Sequence, residues 1–157
     1  MIRKVVSGGQ TGVDRAALDC ALKLDIEVGG WCPAGRRSED GRIPDRYPLT
    51  ETDSKNYAVR TRYNARDSDG TLIVSPLPLT GGTALTRSLA GSEDRPVLVV
   101  DLNDKNDSAP QFVEWIKLHK IETLNVAGPR ASSDTTLYER SCKVLSHLLS
   151  AARNTEA

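Results

Sequence analysis

Neither sign of charge is in excess in this sequence. Its 21 Lys and Arg are matched by 21 Asp and Glu, for a net charge of zero with histidine neutral. Without a basic excess there is no general field to draw the chain to nucleic acid or to an anionic membrane, so recognition of an anion has to be local. Aromatic residues make up only 4% of the chain, which also argues against a nucleic-acid sensor. Cysteine is sparse and odd in number. Cys20, Cys32 and Cys142 are widely spaced, no C-x-x-C occurs, and His119 and His147 lie far from them. That excludes a disulfide framework and gives no zinc spacing, so no metal site is expected. Cys20 falls on the apolar stripe Val13, Ala16, Ala17, Cys20, Ala21, Leu24 and reads as a small buried hydrophobe. Cys32, at a strand end beside the glycine turn, is one candidate soft ligand, with nothing to pair with it locally. No apolar run approaches membrane-spanning length and no secretory signal opens the chain, so the expectation is a cytoplasmic protein with no membrane partner.

What the chain has is glycine at strand ends. The apolar run Ile2–Val6 is followed by Ser7-Gly8-Gly9-Gln10-Thr11-Gly12 and then by the helical stripe that starts at Val13. A strand, a glycine turn and a helix start aim unpaired N–H groups and a positive dipole end at whatever lies above the turn, and an anion is the natural guest. Thr11 and Asp14 are spaced as a capping-box-like pair. The turn is neither standard phosphate loop. It lacks the G-x-G-x-x-G spacing with a later acid, since Trp31, Cys32 and Pro33 end the next strand, and it lacks the P-loop lysine.

Further elements follow in order. A second strand is expected over Glu27–Cys32, then an ordered flap over residues 33–52 anchored by Ile43 and Tyr47. A helix capped by Asp53 or Ser54 runs to Arg66, with Arg60, Arg62 and Arg66 on its solvated face. The turn Asn64–Gly70 does structural Asx work. Strands are expected over Gly70–Ser75, Val97–Asp101 and Thr123–Ala127, and helices over Ala84–Ala90, Ala109–His119 and Thr135 to about Ala152. Alternating strands and helices imply an α/β class: a three-layer Rossmann-like fold with a mainly parallel sheet of about five strands. Residues 1–153 read as one domain and 154–157 as a frayed tail.

In such a sheet the loops leaving the strands share one edge, where ligands bind. That edge gathers Ser7, Gly8, Gly9, Gln10, Thr11 and Gly12 with Thr80, Gly81, Gly82 and Thr83, and with the hydroxyls of Ser132 and Ser133. It adds the guanidinium groups of Arg36, Arg37 and Arg130, while Trp31 and Tyr47 offer flat rings for stacking. Each also has a plain structural role: Trp31 as core, Arg36 and Arg37 as surface charges paired with Glu39 and Asp40. Their convergence is what suggests an anionic small molecule. Asp14, Glu39 and Asp40 are the carboxylates that could act as a general base, and the residues leave open whether the protein is an enzyme.

Ser7–Ala17, Gly30-Trp31-Cys32-Pro33, Gly35-Arg36-Arg37, Glu39-Asp40-Gly41, Ser68–Ile73, Leu79–Thr83 and Asn125–Arg130 together resemble the molybdenum cofactor carrier family over nearly the whole chain. That family sits in a Rossmann-like superfamily with the "lonely guy" phosphoribohydrolases and the DNA-uptake processing proteins. The resemblance implies a homo-oligomeric carrier of a phosphate-bearing pterin, the molybdenum cofactor (molybdopterin), or of a nucleotide. Its anion would lie on Gly8–Gly12 and Gly81–Thr83. The alternative is a hydrolase acting on a nucleotide or nucleotide-derived metabolite. The phosphoribohydrolases place a catalytic glutamate in a P-G-G-x-G-T-x-x-E loop, and here Thr80-Gly81-Gly82-Thr83-Ala84-Leu85-Thr86 has none.

Overall fold

The structure, a computed structural model, describes residues 1–154. The elements begin with β1 (Lys4–Val6), α1 (Val13–Lys23), β2 (Glu27–Gly29), β3 (Trp31–Cys32), β4 (Arg37–Ser38), β5 (Gly41–Arg42) and β6 (Thr50–Glu51). They continue with α2 (Tyr57–Arg66), β7 (Gly70–Ser75), α3 (Gly81–Ser92), β8 (Val97–Asp101), α4 (Ala109–Leu118), β9 (Thr123–Ala127) and α5 (Leu137–Asn154). A short 3-10 turn, Ala131–Ser133, precedes α5.

Five strands form one all-parallel sheet in the order β2-β1-β9-β7-β8. Helices α1, α4 and α5 pack together and α2 packs with α3, which makes the three-layer α/β architecture expected. All of β7 is buried, as its run Thr71-Leu72-Ile73-Val74 requires of a strand covered on both faces. Helix α5 buries Leu145, Leu148, Leu149 and Ala152, at i, i+3, i+4 and i+7, on one stripe. Small residues Ala16, Ala17 and Ala21 on the buried face of α1 let α1 approach α5 and the sheet. Among the described residues no helix is long and apolar enough to cross a membrane.

Several boundaries differ from the sequence expectation for local reasons. The second strand breaks at Gly30, whose φ is 126° and where a Cβ would stand 2.3 Å from the Ser7 carbonyl oxygen. Trp31 and Cys32 leave the main sheet and pair with β6. Asn64 lies inside α2, not in the following turn. Its Oδ1 accepts from Trp31 N at 2.7 Å and its Nδ2 donates to Trp31 O at 3.0 Å, so it clamps the diverted strand. In the turn after α2 it is Asp69 that bonds to backbone, and over a long range: its carboxylate accepts from the amides of Glu122 and Thr123 before β9.

Helix α2 is capped by Asn56, which accepts from Ala58 N at 3.0 Å, because Thr52 and Ser54 cap turns of their own just before it. Helix α3 starts at Gly81 and runs through Gly91, ending where Asp94 takes φ 59°. Helix α5 continues to Asn154, and residues 155–157 of the expected frayed tail lie outside the described residues.

The expected flap carries the β4–β5 hairpin and buries both of its anchors, Ile43 and Tyr47. From β1 the chain steps outward to β2 and then crosses back to β7 on the far side of β9, so the strand order reverses at β1. Loops leaving β1, β9 and β7 therefore meet above the middle of the sheet at its carboxyl rim.

Candidate functional site

A cleft of about 570 Å³ opens at that point. Its walls come from the turn after β1, from α2, from the loop joining β7 to α3, and from the segment between β9 and α5. On the floor, Asp14 extends from the first turn of α1, with its side chain 4% exposed. Its Oδ2 accepts from Gln10 N at 3.2 Å and lies 3.4 Å from Arg60 Nη1. Burial pushes the Asp14 carboxyl up from its ordinary value, and the charge of Arg60 pulls the other way. Burial likewise lowers Arg60, against the pull of Asp14. Arg130 acts on both groups, and its guanidinium stacks 4.7 Å from the centre of the Tyr57 ring. The same lining also holds a second carboxylate, Asp134, which pairs at 3.3 Å with Arg140.

The α3 N-terminus supplies the second half of the site. Thr80 occupies the N-cap position without a side-chain cap, and Gly81 and Gly82 are exposed. Their N–H groups are the first two of the helix and have no intrahelical acceptor. A Cβ built on either glycine meets nothing within 4 Å, so the space beside these amides is open. Arg130, Ser132 and Ser133 line the same cleft.

The first glycine turn is filled by the protein itself. A Cβ on Gly8 would stand 2.0 Å from Arg60 Nη1, one on Gly9 2.4 Å from Leu49 Cδ1, and one on Gly12 2.5 Å from the Pro129 carbonyl oxygen. These positions are glycine because a side chain or backbone crosses them. Ser7 is buried in the turn, donating to Asp14 O at 3.0 Å and accepting from Gly9 N at 3.2 Å. The N-cap of α1 is Gly12 and makes no side-chain cap, so the Thr11–Asp14 capping pair does not form. Thr11 Oγ1 instead accepts from Ala131 N at 3.2 Å and donates to Glu39. Of this turn only Gln10 reaches the cleft, with its Nε2 donating to Arg37 O at 2.8 Å.

The flap arginines and the aromatic rings are placed elsewhere. Arg36 is buried, and its guanidinium donates to the carbonyls of Ile43, Pro44, Leu49 and Tyr47. It folds the flap and does not line the cleft. Arg37 is exposed on β4. Trp31 donates its indole N–H to Asp67 at 2.9 Å and packs edge-on against Tyr63, and Tyr47 is buried with its hydroxyl on Asp19. Cys32 is fully buried, and burial raises its thiol.

Among the three carboxylates, only Asp14 lines the cleft. Asp40 pairs with Arg15 at 2.5 Å, and Glu39 joins Ser132 N at 3.1 Å, the Ser132 hydroxyl at 2.5 Å and the Thr11 hydroxyl. Glu39 thus ties the flap to the turn after β1 and to the wall that carries Arg130. Among the described residues no three His, Cys, Asp or Glu side chains gather as a metal centre.

Arg60 is the cleft residue that sequence reasoning put on a solvated face; its side chain is only 13% exposed. A signal was present. Tyr57, Arg60, Thr61 and Asn64 share one face of α2 by their i, i+3, i+4 and i+7 spacing, and Gly8 left room for a long side chain.

Residues 5–149 match the model of the circularly permutated YpsA SLOG family. Among solved structures, the "Putative molybdenum carrier protein" of Syntrophus aciditrophicus SB is 45% identical and superposes with a TM-score of 0.90. The match covers 94% of this chain and 95% of that one. No curated protein matches. The resemblance to molybdenum cofactor carriers read from the sequence is borne out by these two findings. By a family match that spans almost its whole length, the chain belongs to the circularly permutated YpsA SLOG family.

Proposed function

We propose that this protein is a small-molecule carrier and that its cleft captures a phosphate-bearing organic ligand. The observation that carries the reading is the open, uncapped start of α3 at Gly81 and Gly82, in the same cleft as Arg130 and the Arg60–Asp14 pair. Unpaired amides at a helix start and a guanidinium fork are complementary to a phosphate, and each of the two carboxylates in the lining has a cation beside it, Asp14 with Arg60 and Asp134 with Arg140. A volume of about 570 Å³ suits an organic ligand more than a bare oxyanion. The mechanism is equilibrium capture on preorganised donors.

The molybdenum carrier name of the 45% identical relative points to one such ligand. The donor set fits the phosphate end of a molybdenum cofactor, held by Gly81, Gly82, Thr83 and Arg130. The lining includes no cysteine or histidine, so the chain offers the metal itself no soft ligand there.

Thermal melting with inorganic pyrophosphate, adenosine monophosphate and molybdate tests the reading. A ligand that binds only the folded state raises the melting temperature. A phosphate-bearing compound is expected to do so in the wild type and not in Arg130→Gln. No rise with any anion, or an equal rise in Arg130→Gln, contradicts it.

A further inference from the structure

The two edges of the main sheet are built differently. The β2 edge is guarded. It is three residues long, begins at the exposed Glu27, and stops where Gly30 turns the chain out of the sheet. The β8 edge is five residues long, four of them apolar, and it pairs with β7 in unbroken register with no lysine, bulge or internal proline. Thr71 N donates to Pro96 O and Leu102 N to Ser75 O, so the even-numbered positions of this strand face β7. By the alternation of a ladder, Val97 and Val99 turn their amides and carbonyls outward, where no strand meets them. Val97, Leu98 and Val99 are only half-buried, although strands of a parallel sheet are ordinarily covered. An apolar edge without guards is a template for another strand.

Helix α4 lies beside this edge. Its Trp115 packs over Gly70 of β7, the neighbour of β8. Its outer face presents Pro110, Val113, Glu114, Lys117 and Leu118 around an open depression, and Leu118 is 73% exposed. Glu114 and Lys117 are neighbours on that face, yet among the described residues neither side chain has an ion pair. Their order is self-complementary. Two α4 helices packed antiparallel about a twofold axis set Glu114 against the partner's Lys117, Lys117 against the partner's Glu114, and Val113 against the partner's Leu118.

We propose that this side of the molecule is the contact face of a homodimer. β8 of one copy pairs antiparallel with β8 of the second, joining two five-stranded sheets, and the two α4 helices pack antiparallel beside the joint. One twofold axis perpendicular to the sheet makes both pairs antiparallel. None of these residues lines the cleft, so the proposal stands apart from the ligand reading.

Sedimentation equilibrium of the full chain tests it. The wild type is expected to have the mass of two chains at about 100 μM. Glu114→Lys and Lys117→Glu each set like charges together twice and are each expected to weaken the dimer at least about tenfold. An equal mixture of the two variants is expected to restore it, since every positive position then meets a negative one; that recovery also separates lost contact from lost folding. Hydrogen exchange at the Val97 and Val99 amides is expected to be slow in the wild-type dimer and fast in either single variant. A wild type with the mass of one chain overturns the proposal and leaves the edge to a protein of another sequence. A dimer indifferent to both reversals, or one with fast exchange at Val97 and Val99, overturns it as well.

Discussion

Arg60 reaches Asp14 by passing over Gly8. Its Nη1 lies 3.4 Å from Asp14 Oδ2, and a Cβ on Gly8 would stand 2.0 Å from that same nitrogen. One missing side chain at the end of β1 thus admits the cation that makes a buried carboxylate tolerable at the centre of the cleft.

Gly8→Ala and Gly82→Ala are predicted to separate packing from binding. Gly8→Ala forces Arg60 out of its place and is expected to cost about 1–3 kcal/mol of stability. Gly82→Ala meets open space at a helical position and is expected to be neutral or stabilising by up to about 1 kcal/mol, while its methyl weakens pyrophosphate binding about tenfold. Denaturant titration of both variants, with calorimetric binding for the second, measures the contrast.

Removing the cation alone is expected to be severe. Arg60→Met leaves Asp14 buried without compensation and is expected to cost about 3–5 kcal/mol near neutral pH. The double variant Asp14→Leu with Arg60→Met is expected to recover much of that loss. The pH dependence carries a sign. Asp14 is raised by burial, so its contribution favours the folded state at low pH and is lost as pH rises through its folded value. Without Arg60 the carboxyl rises further, and the variant's melting temperature is expected to fall more steeply with rising pH than that of the wild type.

The flap hairpin is predicted to loosen in acid. Hydrogen bonds from Ser132 and Thr11 hold Glu39 below its ordinary value, and those from Arg15 and Ser38 hold Asp40 at about 2. Both groups are depressed, so the stability they lend is present above their unfolded values and is lost as pH falls toward the folded ones. Asp40 is half exposed, which limits its share to about 1 kcal/mol or less. Glu39→Ala is expected to bring faster amide exchange to residues 37–42 and 131–133 at neutral pH. The wild type is expected to show the same change only below about pH 4.

Legibility in the sequence followed how local the cause was. β7, β8 and β9 are short apolar runs between turns and appear where expected, and the inward faces of α4 and α5 follow from helical periodicity. Gly8, Gly9 and Gly12 were legible as positions of close approach, but glycine does not say whether the neighbour is a ligand or the protein. Here it is Arg60, Leu49 and Pro129. Arg36 read as a guanidinium for the anion and Arg60 as a surface charge, because an arginine on a loop or helix is usually exposed. The carbonyls that bury Arg36 and the carboxylate that receives Arg60 belong to other segments, which composition cannot bring together.

Arg36→Met is predicted to damage the fold and spare the site. It removes donors to four flap carbonyls and is expected to cost about 2–4 kcal/mol, seen as earlier cleavage of residues 33–52 in limited proteolysis. The pyrophosphate affinity of the folded fraction is expected to stay within about twofold of wild type, because Arg36 does not line the cleft.

The central claim is that an anion settles at the start of α3 beside Arg130. Crystals soaked in tungstate, a strongly scattering tetrahedral oxyanion, test it most directly. The account predicts an anomalous peak within hydrogen-bond reach of the Gly81 or Gly82 amide and of the Arg130 guanidinium. Peaks confined to other surfaces of the protein, with only water between those groups, would contradict it.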